Sequence, residues 1–282
     1  MMSAWERVKL ARHPKRPTAK HLIASLFPDF IELHGDRLFA DDQAIMGGIA
    51  TFKGEPITII AQEKGATTEE KIERNFGMVH PEGYRKALRL MRQAEKFNRP
   101  ILSIIDTPGA YPGIGAEERG QAQAIAYNLR EMMGLSVPVI CVVLGEGGSG
   151  GALAIGVGDV IYMFENSIYA ILSPEGYASI IYKDASKAHM AAELMKLTSY
   201  DLLNFGIIDG IIYEQEGLHI NERYGYLELE KMLTKALKNE KKKSAEKRRE
   251  QRYHKYRQIG VYLKKGENHD EPTSHDQDSV KR

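Results

Sequence analysis

The hydrophobic positions of the chain follow two patterns, short unbroken apolar runs and longer stretches with a helical repeat. Unbroken runs occupy Ile101–Asp106 and Val137–Leu144, and such runs are typical of parallel strands that are buried on both faces. From Tyr84 onward apolar residues recur at i, i+3, i+4 and i+7, which predicts a helix with one side packed in the core. The chain therefore alternates strands and helices, as α/β proteins do.

The segments between these elements continue the same alternation. The further predicted strands are Ile45–Phe52, Pro56–Gln62, Val160–Phe164, Ser167–Ile171 and Gly206–Tyr213, and the further helices are Ala19–Phe27, Glu117–Met133, Ser186–Leu197, Tyr200–Phe205, one after Ser173 and a long charged one from about Asn221. The polar segment 64–81 is expected to be a loop or a mobile flap. A strand, a glycine-rich loop and a helix occur in that order twice, with short hairpin strands interleaved. This order predicts a spiral of β-β-α repeats, with a doubly wound sheet as the alternative.

Each of the two apolar strands is followed by a glycine-rich segment that leads into a helix. The first segment is Thr107–Ala116 and the second is Gly145–Gly151. Backbone N–H groups in such segments have no side chain covering them and lie at a helix N-terminus, where an anion is bound favourably. The anion is either a phosphate or an oxyanion that forms during a reaction, and these two possibilities predict different functions for the protein.

Phosphate binding is the weaker of these two interpretations. Asp106–Gly109 matches the Asp-x-x-Gly of nucleoside triphosphatases, but the chain lacks the G-x-x-x-x-G-K-[ST] loop that those proteins need. The second segment contains G-x-G-x-x-G, yet no clear acidic strand end follows about 20 residues later, as a dinucleotide-binding fold requires. Stabilisation of an oxyanion therefore remains, and reactions through thioester enolates depend on it strongly.

A serine nucleophile is an alternative that these residues leave open. Gly147–Gly151 satisfies G-x-S-x-G at a strand-to-helix turn, where α/β hydrolases carry their nucleophile, and the serine is Ser149. His189 and His219 follow in the order that a triad needs, but neither lies in a recognisable catalytic loop. The other interpretation of Ser149 is a small residue that permits tight helix packing or caps the helix.

Composition narrows the possible functions. The 282 residues are 43% hydrophobic with a net charge of +1, which indicates a globular protein without a generally nucleic-acid-binding surface. The only cysteine, Cys141, lies in an apolar strand, so disulfides within the chain are excluded, and the scattered histidines predict no metal site. No apolar run is long enough for a membrane span and the first residues do not resemble a signal peptide, so we expect a cytoplasmic protein.

Charge also suggests how the chain is divided. We expect an N-terminal helical segment over residues 1–40, a main domain over residues 41–240, and a basic helix end with a disordered tail over residues 241–282. The basic stretch Lys238–Arg257 is interpreted chiefly as a solvated helix end. Nucleic-acid binding by this stretch is the second alternative function.

The chain resembles a known family along most of its length, from about Leu10 to Gly210. The most specific blocks are Asn75–Met78, Pro81–Met91, Asp106–Gly113, Ala116–Gly120 and Gly145–Gly156. Together they resemble the carboxyltransferase alpha subunit of bacterial acetyl-coenzyme A carboxylase. The resemblance implies a crotonase-like (ClpP/crotonase) spiral for the main domain, in agreement with the β-β-α repeats.

The resemblance also implies an activity and its partners. Such subunits take part in transferring the carboxyl group of carboxybiotin to acetyl-coenzyme A, which forms malonyl-coenzyme A for fatty acid biosynthesis. The implied partners are a homologous beta subunit in an α2β2 assembly, the biotin carboxyl carrier protein that bears the carboxybiotin, and biotin carboxylase. Zinc is expected only in the beta subunit, and neither a membrane nor nucleic acid is an expected partner.

The resemblance further implies roles for individual residues. Gly150 and Gly151 match the family's alpha-side oxyanion hole, whose N–H groups would stabilise the ureido anion of biotin. The residues expected to line the substrate pocket are Gly109, Ala110, Tyr111, Gly113, Gly147 and Gly148. The beta subunit would hold the thioester enolate, and no metal ligand is expected in this chain.

Overall fold

An eight-stranded mixed sheet lies at the centre of the computed structural model, which describes residues 2–260. The strands are β1 (Ile31–Glu32), β2 (Ile45–Phe52), β3 (Glu55–Gln62), β4 (Ile101–Thr107), β5 (Val139–Gly148), β6 (Val160–Phe164), β7 (Ile168–Ala170) and β8 (Gly210–Ile212). The helices are α1 (Ala4–Ala11), α2 (Ala19–Leu26), α3 (Thr68–Glu73), α4 (Pro81–Lys96), α5 (Ile114–Glu118), α6 (Gln121–Gly134), α7 (Ser149–Leu153), α8 (Pro174–Tyr182), α9 (Ala188–Met195), α10 (Ser199–Asn204), α11 (Glu222–Glu240) and α12 (Ala245–Arg257).

The order of strands across the sheet is β1-β2-β3-β4-β5-β6-β8. The first three strands are antiparallel and include the predicted β2–β3 hairpin, whereas the pairs from β3 to β8 are parallel. β5 pairs with two neighbours in succession, because Ile140–Val143 pairs with β6 and Glu146–Gly148 pairs with β7. The second glycine-rich segment lies where β5 changes its partner.

Residues Gly145–Gly148 therefore end a strand, and the prediction that they form a loop is wrong. The strand can continue because glycine leaves room for close neighbours. A Cβ at Gly147 would lie 2.7 Å from Cδ2 of Tyr169, and one at Gly145 would lie 2.5 Å from Oδ1 of Asp106. Sequence patterns associate a run of glycines with turns, whereas here packing against neighbouring atoms requires them.

Alternate residues of β4 and β5 point to opposite faces of the sheet and enter two separate cores. The core beneath α4 and α6 takes Ile101, Ile105, Val139, Cys141 and Val143 from these strands. The core beneath α2 and α11 takes Leu102, Ile104, Ile140, Val142 and Leu144. Both faces are covered, which explains the unbroken apolar runs. Burial raises the pKa of the Cys141 thiol to about 12, so this cysteine is a packing residue.

Two helix starts that the apolar pattern did not locate carry capping boxes. α1 begins after Ser3 and α3 begins after Thr67, and each of these side chains accepts a hydrogen bond from the N–H three residues later, at Glu6 and Glu70 respectively. Both capping boxes have the sequence S/T-x-x-E, a helix start signal that is visible in the sequence. α3 corrects the expectation of a loop over residues 64–81. Its apolar repeat is too weak to reveal it, because none of its residues is buried.

The basic stretch Lys238–Arg257 covers the end of α11 and all of α12. The Arg252 side chain is 0% exposed, lies 2.9 Å from the Asp159 carboxylate and donates to the carbonyl oxygens of Met132 and Leu135 near the end of α6. Part of the stretch is thus a buried anchor and not a solvated helix end, because this guanidinium donates to carbonyl oxygens at a helix end, where backbone donors are few. The disordered tail was predicted within residues 241–282, and residues 261–282 lie outside the described residues. The three-part division of the chain stays a prediction.

Candidate active site

The two glycine-rich segments meet at the carboxyl ends of β4 and β5. A Cβ at Gly148 would lie 2.1 Å from the carbonyl oxygen of Pro108. A Cβ at Gly151 would lie 2.6 Å from the backbone nitrogen of Ala110. Backbone therefore touches backbone between the segments, and a side chain at either glycine would separate them.

The short helix α7 begins at this contact. Its first residue, Ser149, has a φ of +52°, a left-handed conformation that costs a non-glycine residue on the order of 1 kcal/mol. The N–H groups of Gly150 and Gly151 lie in the first turn, where a helix supplies no acceptor, and residues 2–260 provide none for them. A Cβ at Gly150 would have only the Ile125 side chain within 4 Å, at 3.6 Å. The surroundings of Gly150 are therefore open.

A buried glutamine connects the two segments. Gln62, the last residue of β3, is 0% exposed. Its Nε2 donates to the carbonyl oxygen of Gly151 at 2.7 Å, and its Oε1 accepts from the N–H of Asp106 at 3.2 Å. The register of β3 with β4 ends at Ala61 and Ile104, so the Gln62 side chain supplies a hydrogen bond beyond the end of that ladder. Sequence reasoning missed Gln62, although a polar residue ending an apolar strand could have indicated it.

A buried carboxylate holds the end of β5 against β4. Oδ1 of Asp106 accepts from the N–H of Glu146 at 2.9 Å and from Nζ of Lys64 at 2.8 Å. Within residues 2–260, the other oxygen, Oδ2, is buried without a hydrogen-bond partner. The Glu146 carboxylate lies 2.6 Å from Nε of Arg12, which follows α1. Both the N-terminal segment and the loop after β3 are thus joined to the strand ends by charged groups.

An aromatic pair lies beside the first glycine-rich segment. The rings of Tyr111 and His80 are stacked, with centroids 4.0 Å apart and planes inclined by 25°. Gln121 donates to the carbonyl oxygen of Tyr111 at 3.0 Å, and a Cβ at Gly113 would lie 2.4 Å from Cε1 of the tyrosine ring. The N–H of His80 donates to Asp42 at 2.7 Å, and burial raises the pKa of that carboxyl. Sequence reasoning missed His80, because no motif marks it.

Most of the predicted site residues are neighbours in the structure. Four of them form the contact between the segments: Gly109, Ala110, Gly148 and Gly151. Tyr111 and Gly113 continue the first segment, and Gly150 lies at the open start of α7. Gly147 is buried beneath Tyr169, so its backbone packs against that ring. Their roles toward a substrate stay predictions.

Ser149 has no partner of the kind that a serine hydrolase needs. A nucleophile and its base must lie within hydrogen-bond reach of one another. His189 is exposed on α9, and the ring of His219 packs against His13 with centroids 4.2 Å apart. Within the described residues neither imidazole bonds to Ser149, so the hydrolase alternative is not supported.

Two further observations concern possible ligands and membranes. Within residues 2–260, no three side chains of His, Cys, Asp or Glu converge in a way that could hold a metal ion. In the same range, none of the helices combines the length and the apolar composition that crossing a bilayer requires.

Solved structures that resemble the chain define its class. Transcarboxylase 12S, solved with methylmalonyl-coenzyme A and methylmalonic acid bound, superposes with a TM-score of 0.67 over 83% of this chain and 44% of its own, at 19% identity. The beta subunit of P. aeruginosa geranyl-CoA carboxylase gives a TM-score of 0.62 over 84% of this chain and 44% of its own, at 17% identity. At such identities the likeness establishes the fold, which is the predicted crotonase-like fold of carboxyltransferases.

Sequence comparison identifies the family within that class. The family model described as acetyl co-enzyme A carboxylase carboxyltransferase-like matches residues 1–260. The acetyl-coenzyme A carboxylase carboxyl transferase subunit alpha of Geobacillus sp. (strain WCH70) is 56% identical over 93% of this chain and 81% of that protein. The same subunit of Bacillus thuringiensis (strain Al Hakam) is 58% identical over 92% of this chain and 80% of that protein. The chain therefore belongs to the family of acetyl-coenzyme A carboxylase carboxyltransferase alpha subunits, which confirms the prediction from its sequence.

Proposed function

We propose that the chain supplies the biotin side of a carboxyltransferase site that it shares with a beta subunit. In this reaction the carboxyl group of carboxybiotin, borne on a carrier protein, passes to acetyl-coenzyme A and gives malonyl-coenzyme A. Gly150 and Gly151 would hold biotin through N–H groups that bind its ureido oxygen. When bound, carboxybiotin supplies the carboxyl group, and the two donors favour negative charge on the oxygen that they bind.

The observation that carries the proposal is the pair of N–H groups at the start of α7. They lie in a helical first turn without acceptors in residues 2–260, next to an open space at Gly150. The hydrogen bond from Gln62 to the carbonyl oxygen of Gly151 fixes the orientation of that turn. Donors that are oriented in advance need no reorganisation when charge develops, and one such donor contributes about 3 kcal/mol to a transition state.

The surface around these donors fits a site completed by another subunit. Ile114, which begins α5, is 80% exposed, and Ile171, which follows β7, is 78% exposed. Leu153 of α7 is 43% exposed. Large exposed apolar side chains, here on segments next to the glycine-rich ones, can mark protein interfaces. A beta subunit that covers them would bring the thioester enolate to the biotin side.

A substitution at Gly150 tests the proposal. Gly150 has no positive φ and its nearest neighbour would lie 3.6 Å from a Cβ, so Gly150→Val leaves the fold intact while its methyl groups cover the donors. We expect kcat for malonyl-coenzyme A-dependent carboxylation of free biotin by the α–β complex to fall by about 100-fold. Gly150→Ala, which adds one methyl group, should have a smaller effect.

The matched control is Gly134→Val at the end of α6, where a Cβ would meet nothing within 4 Å. This variant should keep both its unfolding midpoint and its kcat. Normal turnover by a correctly folded Gly150→Val complex would remove the oxyanion role from Gly150. A loss of folding in the control would show instead that valine at an open helical glycine is not a neutral probe.

A further inference from the structure

A cleft rich in arginine lies between α4, α6 and the loop over residues 34–41. It has a volume of 650 Å³, and five guanidinium groups line it against one carboxylate, that of Asp36. The arginines are Arg37, Arg85, Arg89, Arg92 and Arg119. This excess of positive charge in a concave site attracts an anionic ligand. The cleft shares no lining residue with the glycine donors of α7.

Three of these arginines are neutralised by carboxylates and two are not. Arg85 pairs with Asp36 at 2.8 Å, Arg92 with Glu131 at 2.9 Å, and Arg119 with Glu82 at 2.9 Å. In the part of the chain that the structure describes, the hydrogen bonds of the other two go to backbone carbonyl oxygens and not to carboxylates. These two groups, Arg37 and Arg89, are therefore the ones available to an anion.

The two available guanidiniums are held close together. Nη1 of Arg37 donates to the carbonyl oxygen of His34 at 2.7 Å, and Nη2 of Arg89 donates to the same oxygen at 3.2 Å. Burial, and then the charge of Arg37, lowers the pKa of the Arg89 guanidinium, and the weaker opposing effect of the Asp41 and Asp36 carboxylates does not offset it. Two like charges on one carbonyl oxygen repel one another, and a bound anion would relieve that repulsion.

The loop that carries Arg37 is fixed in advance of binding. Asp36 is only 7% exposed, and its carboxylate accepts hydrogen bonds from the N–H groups of Leu38, Phe39 and Ala40. This turn holds Arg37 at a φ of +65°, which a free chain would rarely adopt. Such preorganisation reduces the entropy lost when a ligand binds.

Apolar groups complete the lining of the cleft. Leu38 is 77% exposed and Tyr127 is 42% exposed, and both line the cleft together with Leu88. A phosphate alone would leave these groups uncovered, whereas a flat heteroaromatic base would pack against them. The volume is also in the range of sites for small organic ligands and cofactors.

We propose that this cleft binds a nucleotide, with its phosphates on Arg37 and Arg89 and its base against Leu38 and Tyr127. Guanidinium groups suit phosphate oxygens because they donate in a planar fork. The nucleotide is either free or the phosphorylated adenosine end of a coenzyme A, and both sources present the same chemistry. The inference does not rest on the role proposed for Gly150 and Gly151.

Isothermal titration of the α–β complex at physiological ionic strength tests the inference. The probes are adenosine 3′,5′-bisphosphate, ADP, ATP and pyrophosphate. We expect saturable binding of one nucleotide per alpha chain, weakened at least about tenfold in Arg37→Gln and in Arg89→Gln. The control Arg223→Gln removes an exposed guanidinium of α11, a helix that contributes no residue to the cleft, and should bind as the unaltered complex does.

The outcomes separate the alternatives. Tighter binding of adenosine 3′,5′-bisphosphate than of ADP and ATP would assign the cleft to the coenzyme A end, and the reverse order to a free nucleotide. Pyrophosphate binding as tightly as the nucleotides would overturn the assignment of a base site. No saturable binding at millimolar concentration, or equal binding by all three variants, would overturn the proposal as a whole. Arg37 is exposed, so its variant keeps the test valid if Arg89→Gln folds poorly.

Discussion

Replacing Gln62 by methionine should disturb the candidate active site without leaving a cavity. Methionine has nearly the same length and volume, so the packing of β3 is preserved. The amide hydrogen bonds to the carbonyl oxygen of Gly151 and from the N–H of Asp106 are both lost. Since Gln62 is 0% exposed, water does not replace them.

The cost can be worked out from those two contacts. Each buried backbone group that loses its partner costs about 1 to 3 kcal/mol. Gln62→Met leaves two such groups, so we expect the free energy of unfolding to fall by about 2 to 6 kcal/mol. The turn that carries Gly150 also loses its link to β3. We therefore expect kcat to fall at least about tenfold at a temperature where the variant is still folded.

Two measurements on the same preparation check this reasoning. Urea unfolding of the alpha chain gives the change in stability, and malonyl-coenzyme A-dependent carboxylation of biotin by the α–β complex gives kcat. The control is Gln251→Met on the exposed side of α12, which should alter neither quantity. An unfolding midpoint for Gln62→Met equal to that of the unaltered chain would refute the idea that the amide braces the two segments.

Three further predictions concern other parts of the chain. Ser149→Ala should keep most of its carboxyltransferase activity, and loss of nearly all activity would restore the nucleophile interpretation. Arg252→Met leaves Asp159 buried without its partner and should lower the free energy of unfolding by about 3 to 5 kcal/mol in urea titrations. Burial alone would raise the pKa of the Glu214 carboxyl, but the charge of Arg16 lowers that pKa below its ordinary 4.5. The pair therefore stabilises the fold above pH 4.5, and its contribution is lost as the pH falls through the folded-state pKa. Arg16→Leu should shift the acid-unfolding midpoint upward, and an unchanged midpoint would contradict the linkage.

The sequence predicted every strand except the two-residue β1, and most helices, because local patterns determine them. The apolar runs of β4 and β5 and the repeat in α4 are each carried by consecutive residues. The contact between the two glycine-rich segments was harder to predict from the sequence, because it joins residues about 40 positions apart. The family resemblance placed Gly150 and Gly151 in the site, whereas Gln62 and His80 belong to no motif and emerge only when β3 and the start of α4 lie beside those segments.

The arginine cleft shows why charge patterns along a chain are hard to interpret. The stretch with the most basic residues is Lys238–Arg257, yet its Arg252 forms a buried ion pair and donates to carbonyl oxygens at a helix end. Arg37 and Arg89 lie in different segments of the chain, and only the fold brings them to a shared carbonyl oxygen. The number of cations in a segment therefore says less about ligand binding than the number left without a carboxylate.

The site itself depends on an interruption of regular structure. Between Ile105 and Thr107 the β4–β5 ladder is irregular, and there the Asp106 carboxylate accepts from the N–H of Glu146. On the other side of β4, Gln62 accepts from the N–H of Asp106 beyond the end of the β3–β4 ladder. A regular ladder would consume backbone donors along both strands. Because side chains hold the strand ends together instead, the chain can turn sharply at Ser149 and begin α7 with unpaired N–H groups. The left-handed φ of Ser149 and the open donors of the next two residues thus both follow the end of β5 at Gly148, the last residue that pairs with β7.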